Sequence, residues 1–189
     1  MTTDTTPNFP HQAQYGPWTV QSTTEKYQNA FIEVFEDQVL RPDGTSGSYA
    51  TVTMKPGVAI LPIDAEGTVY LTKQFRYALG DHSIEVVCGG IEEDMQPLQA
   101  AQQELQEELG IEAAEWVDLG IIDLDTSIVR CPVYLFLAKQ LTFQPSRPES
   151  TEVIEPVRMP LSLALNMVLQ SQITHAPSCV LLLKSRDRI

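Results

Sequence analysis

Three cysteines in 189 residues, Cys88, Cys131 and Cys179, are too few and too widely spaced for a disulfide framework or a thiolate zinc site, so they read as buried free thiols. Histidine is equally scarce. His11, His82 and His175 show no paired-ligand spacing, which argues against a histidine-held metal and against a Ser-His-Asp hydrolase. Basic residues are also few: 12 lysines and arginines face 25 acidic residues, for a net charge of −13. Such a surface repels a phosphate backbone, so nucleic acid is not an expected partner, and a small anionic substrate would need cations to hold it. No apolar run approaches the roughly 18 residues of a membrane span. The opening residues Met1–Pro10 are polar, with no basic segment leading into an apolar one. The expectation is a cytoplasmic protein with no membrane partner.

A hydrophobic content of 43% supports one substantial core with a smaller attached unit. Residues 1–15 are rich in Thr, Pro, Gln and Asn and have little to bury, which predicts a loose arm. Phe31–Phe35 and Tyr49–Met54 are strand-like and flank the turn Arg41-Pro42-Asp43-Gly44, so 16–56 is expected to be a small antiparallel β unit. A second hairpin is expected from Gly57–Ile63 and Thr68–Thr72 around Asp64-Ala65-Glu66-Gly67, with the main domain running over 57–189. Leu98, Ala101, Leu105 and Leu109 recur at helical spacing between Pro97 and Gly110, which predicts a helix over 97–109. Cys131–Ala138 and Val153–Met159 read as strands, and Pro160–Gln170 and Pro177–Lys184 as short helices. Strands and helices mix without a regular βαβ repeat, the pattern of an α+β protein with a mixed sheet covered by helices.

On the 97–109 helix, residues three and four apart share a face, so Glu104, Glu107 and Glu108 converge while the leucines project aside. Like charges there repel one another, and the helix dipole at a C-terminal end adds to the cost. A bound cation would offset it. Mg²⁺ takes one or two carboxylates and completes its shell with water and phosphate oxygens. A solvated helix face is the competing reading on charge pattern alone.

Gly89 to Ile111 resembles the Nudix box, G-x5-E-x7-R-E-U-x-E-E-x-G-U with U a bulky apolar residue: Gly89, Glu104, Leu105, Glu107, Glu108, Gly110 and Ile111 match at the required spacing. The approach Glu85-Val86-Val87-Cys88-Gly89 is similar to the E-x-P-A-G segment of ADP-ribose pyrophosphatases, and the resemblance extends from about Phe31 to Lys184. It implies a Nudix-like α/β/α sandwich preceded by the small β unit, which is similar to that subfamily's dimerisation domain and so implies a homodimer. It also implies metal-dependent hydrolysis of a nucleoside diphosphate-linked small molecule, with Mg²⁺ as cofactor and Mn²⁺ as the alternative ion. Glu104 and Glu108 would be the chief ligands, Glu107 would assist, and the Cys88 carbonyl would complete the shell. Arg76 and Glu85, with the backbone at Gly89 and Gly90, would meet substrate. For Arg76 a salt bridge, and for Glu85 a structural hydrogen bond, are the competing readings. Ser150 stands where the family's base Glu would align, so either Glu149 or Glu152 would take that role. Asp125, Thr126 and Ser127 are candidates to line the pocket. Two departures stand out: Met95 replaces the box's first Glu and Gln103 its Arg. With Ser150, they motivate an alternative, a nucleotide-binding module without hydrolysis.

Overall fold

The computed structural model describes residues 13–146 and 153–188. In chain order its elements begin with β1 (Ala13–Tyr15), β2 (Trp18–Gln28), β3 (Ile32–Leu40), β4 (Ser46–Met54), β5 (Gly57–Pro62), β6 (Thr68–Arg76), β7 (Asp81–Glu85) and β8 (Val87–Gly90). They continue with α1 (Pro97–Leu109), β9 (Ile111–Asp123), β10 (Val129–Arg130), β11 (Pro132–Phe143), β12 (Glu155–Pro160), α2 (Leu161–Leu169) and α3 (Ala176–Ser185). Two compact units result: the described residues up to Met54 together with Asp125–Arg130, and Lys55–Leu124 with Cys131 onward. No helix among the described residues is long and apolar enough to cross a membrane.

The smaller unit is one sheet in the order β1-β2-β3-β4-β10, antiparallel except for the parallel β4/β10 pairing. Its β3–β4 turn closes with Gly44 at φ 83, and Asp43 accepts the Thr45 N–H at 2.9 Å. Ala13–Tyr15, expected within the loose arm, pair instead with Trp18–Val20, because a tight turn with Gly16 at φ 58 folds the chain back on β2.

The larger unit holds two sheets. One is mixed, in the order β8-β5-β11-β9, with β5 parallel to β11 and the other pairs antiparallel. Strand β5 is almost wholly apolar and buried on both faces, as a central strand under two helix layers must be. Period-two alternation assigns its faces: Val58 and Ile60, with Phe136 and Ala138 of β11, pack under Ala100, Ala101 and Leu105 of α1. Ala59, Leu61, Leu135 and Leu137 are buried on the other face, where α3 packs against β5 and β11 with Leu181 and Leu182. The result is helix, sheet, helix. A fully buried leucine such as Leu105 contributes roughly 1.5–3 kcal/mol.

The second sheet, β12-β6-β7, is antiparallel. This corrects the expected hairpin of β5 with β6. The Asp64–Gly67 turn does form, with the Gly67 N–H donated to the Asp64 carbonyl at 3.2 Å, but only the bridge Ile63↔Val69 joins the strands before they part into different sheets. Apolar on both faces, β5 is drawn between β8 and β11, whereas the more alternating β6 is left to pair with β7 and β12.

Helix α1 starts with Pro97 at its first turn, where the missing N–H costs nothing, and the Gln99 side chain accepts the Gln96 N–H at 3.2 Å. It stops at Gly110, in the left-handed region at φ 63, where a Cβ would also run into the Gln144 carbonyl. Helix α1 packs against β8, with Glu104 of its second half lying over Gly89.

Candidate functional site

The packing stripe of α1 runs through Ala101, Leu105 and Glu108, at i, i+4 and i+7. A carboxylate therefore occupies a position where periodicity calls for an apolar residue, and Glu108 is only 4% exposed. Burying a carboxylate is costly unless positive charge compensates it. Glu104, one turn earlier, is half-buried and lies across the α-carbon of Gly89: a Cβ built there would overlap its carboxyl group. Glycine at 89 thus lets the carboxylate settle against the β8 backbone, one residue from the Cys88 carbonyl.

The field around this cluster is strongly negative. Burial pushes the Cys88 thiol well up, and the charges of Glu108 and Glu85 push it further, with Arg76 opposing. The protonated thiol is thereby favoured in the metal-free site. Glu107, on the same helix end, accepts a hydrogen bond from the Gln103 side chain at 2.9 Å. Gln103 thus restrains one glutamate, but as a neutral donor without the charged fork of a guanidinium.

Behind the cluster stands a second polar group. Arg76, at the end of β6, grips Glu85 of β7 with two parallel hydrogen bonds, Nε to Oε1 at 3.1 Å and Nη2 to Oε2 at 2.5 Å. Glu85 is 3% exposed. Its burial works against ionisation, but the Arg76 hydrogen bonds, the charge of His175 and the Ser83 hydroxyl outweigh it and hold the carboxyl below its usual range. His175, at the N-cap of α3, sets Nδ1 3.5 Å from Glu85 Oε2 and 2.8 Å from Ser178 Oγ. The Val86 N–H in turn donates to Ser178 Oγ at 2.9 Å. Burial holds His175 below the ordinary imidazole range, with Glu85 pulling the other way.

One pH dependence follows. Because the folded Glu85 carboxyl has a pKa below its unfolded value, its stabilising contribution is complete above the unfolded value and is lost as pH falls through the folded one. Acid unfolding monitored by circular dichroism is expected to steepen below about pH 4.5 in the wild type, the ordinary glutamate region, and to be flatter in Glu85→Gln. Parallel curves would remove Glu85 from the acid-labile groups.

Each residue singled out from the sequence can now be placed. Glu104, Glu108, Cys88 and Gly89 come together, Glu107 sits on the flank of the same helix end, and Gly90 follows beside Lys55. Arg76 and Glu85 form one ion pair, as the salt-bridge reading of Arg76 has it. Glu149 and Glu152 lie outside the described residues. Asp125, Thr126 and Ser127 fold with the smaller unit, where Thr126 and Ser127 join Trp18 and Tyr49 in lining a concavity of about 280 Å³. His175 and Ser178 were missed, because a lone histidine and a serine some 90 residues from Glu85 carry no spacing signal.

The donor set suits a hard divalent cation: two carboxylates a helical turn apart, a glycine cradle for one of them, and backbone carbonyls alongside. Among the described residues no three His, Cys, Asp or Glu side chains form a closed ligand group. Mg²⁺ needs only one or two carboxylates when water and phosphate complete its shell.

Comparison with known proteins agrees with this geometry. The family model for the NUDIX domain matches residues 53–177, and that for the nucleoside diphosphate sugar hydrolase N-terminal domain matches residues 18–52. The chain is 26% identical over 152 residues to an ADP-ribose pyrophosphatase of Bacillus subtilis, covering 79% of this chain and 82% of that protein. It is 29% identical over 164 residues to an ADP-ribose pyrophosphatase of Mycobacterium tuberculosis, covering 84% and 77%. A methanol dehydrogenase activator of Bacillus methanolicus is 22% identical over 160 residues, covering 84% and 86%. Among solved structures, an ADP compounds hydrolase superposes with a TM-score of 0.78 at 17% identity over 90% of this chain and 93% of that one, which shows a shared fold.

Proposed function

Because this chain belongs to the Nudix hydrolase family, we propose that it cleaves the pyrophosphate bond of ADP-ribose or a related nucleotide sugar, releasing a nucleoside monophosphate and a sugar phosphate. The observation that carries the reading is the buried Glu108 on the packing stripe of α1, beside a Glu104 seated on Gly89. Two relatives named for ADP-ribose, and an N-terminal match named for nucleoside diphosphate sugars, support the substrate class.

Glu104, Glu108 and the Cys88 carbonyl would hold the divalent ion, Mg²⁺ with Mn²⁺ as the alternative, and Glu107 would assist from the flank. Such an ion supplies charge neutralisation of the diphosphate and Lewis-acid polarisation of a phosphorus–oxygen bond. The residues do the rest. Gly89 and Gly90 keep β8 free of side chains where substrate approaches. Arg76, already oriented by Glu85, presents its guanidinium to phosphate or ribose. Glu149 or Glu152 would take the proton of the attacking water, since a base needs reach rather than a fixed address. We also read the protein as a cytoplasmic homodimer joined through the smaller unit, where most of β2 and the side chains of Tyr27 and Phe31 are exposed. Light scattering checks that assembly.

A panel of ADP-ribose, nucleotide sugars and dinucleotides with Mg²⁺ tests the activity. ADP-ribose or a nucleotide sugar is expected to release monophosphate, and EDTA to abolish the release. No turnover across the panel sinks the proposal. One observation favours a second reading: Met95 packs against the apolar core, so no carboxylate stands at that point of the box. Thermal stabilisation by ADP-ribose without product would favour a binding module instead.

A further inference from the structure

We propose that His175 is a positioning residue: by fixing Glu85 it aims the Arg76 guanidinium at the substrate diphosphate. The inference rests on the reading that the site accepts a nucleoside diphosphate derivative. Its material is a continuous chain of contacts within the larger unit, from Ser178 through His175 and Glu85 to Arg76.

Arg76 is a flexible side chain whose usefulness to a diphosphate depends on being held in one orientation beforehand. Glu85 is the holder, and a holder must itself be held. Strand β7 supplies its backbone, the Ser83 hydroxyl hydrogen-bonds its carboxylate, and His175 bounds the oxygen that Arg76 Nη2 grips. There Oε2 accepts from Arg76 Nη2 on one side and faces His175 Nδ1 at 3.5 Å on the other. Nδ1 lies 2.8 Å from Ser178 Oγ and faces Glu85 Oε2 at 3.5 Å, so the imidazole acts on the carboxylate as a wall and through its charge while Ser178 fixes the ring. Ser178 is fully buried and accepts the Val86 N–H, which ties the start of α3 to the residue next to Glu85. His175 makes no side-chain hydrogen bond to the backbone N–H groups of α3. Helix capping therefore does not account for its orientation, whereas Glu85 and Ser178 do.

The chemistry predicts a graded result. His175→Ala removes the ring that faces Glu85 Oε2 and Ser178 Oγ. His175→Asn puts an amide N–H close to the same point. With Glu85 less firmly held, Arg76 would sample several orientations, weakening ground-state grip on the diphosphate more than the chemical step.

Two readouts on wild type, His175→Ala and His175→Asn decide the matter. The first is the Arg76 Nε–H resonance in ¹⁵N-edited NMR without substrate or metal, assigned by its loss in Arg76→Lys. It is expected to be sharp in wild type and His175→Asn, and broadened or lost in His175→Ala at unchanged Tm. The second is steady-state kinetics on ADP-ribose with Mg²⁺: His175→Ala is expected to raise KM about tenfold, with kcat within about twofold. His175→Asn is expected to restore the wild-type KM. An unchanged Arg76 resonance in His175→Ala overturns the inference, as does a KM that does not move while the resonance is lost. If wild type fails to turn over ADP-ribose, the substrate reading fails by itself, and the resonance alone decides whether His175 positions Arg76.

Discussion

Glu108→Gln is expected to lose turnover by more than about a hundredfold, beyond the range typical of changes to groups that merely support a metal ligand, while its thermal midpoint stays equal to or above that of the wild type. The two halves of the expectation have one cause. At 4% exposure, on the stripe that packs α1 against the sheet, a carboxylate sits in the same field as Glu85, Glu104 and the backbone of Cys88. Replacing so deeply buried a carboxylate by a neutral amide of the same shape removes the cost of keeping that charge out of water. In its proposed role as a cation ligand the carboxylate supplies a charge that the amide lacks. Loss of activity together with loss of fold would instead make Glu108 a structural group. Retained activity would remove it from the site.

Gly89→Ala is the second large effect, and it separates the site from the scaffold. A Cβ at this position overlaps the carboxyl end of Glu104, the far end of a flexible side chain, so the protein can relieve the clash by turning that chain away. Stability is expected to fall by no more than about 1 kcal/mol, as for ordinary surface-proximal changes. Activity is expected to fall by at least about tenfold, because a ligand displaced by 1 Å can cost that much or more. The measurement is kcat with Mg²⁺ alongside Tm. A variant that keeps full activity would show that Glu104 does not act from its place on Gly89. Gly110 makes the opposite case: a Cβ there meets the Gln144 carbonyl, which is backbone and cannot step aside, so substitution at Gly110 strikes the fold first.

What the sequence makes legible is what short-range periodicity encodes. Pro97, the leucine spacing and Gly110 define α1 to the residue, because caps and a 3.6-residue period act locally. The seven matched positions of the box lie within 23 residues, so the grouping of Glu104, Glu108 and Gly89 is readable as soon as the helix is. Long-range pairing is less legible. The partition of β5 and β6 into separate sheets depends on which distant strand claims each edge, and β11 claims β5 from more than 70 residues away. Strand β9 escapes detection because it is an edge strand: Ile111–Asp123 mixes four acidic residues with its apolar ones and pairs only with β11. His175 and Ser178 escape for the same reason, since their meaning lies in Glu85 and Val86, which reach them only through the packing of α3.

Capture of a divalent cation by Glu104 and Glu108 at the end of α1 is the step on which the proposed hydrolysis depends. Titration of the substrate-free protein with Mn²⁺, with free ion followed by electron paramagnetic resonance, addresses it directly. Saturable uptake is expected, and its loss in the Glu104→Gln/Glu108→Gln double variant while circular dichroism stays unchanged. Uptake of equal strength by the folded double variant, or none by the wild type, would contradict it.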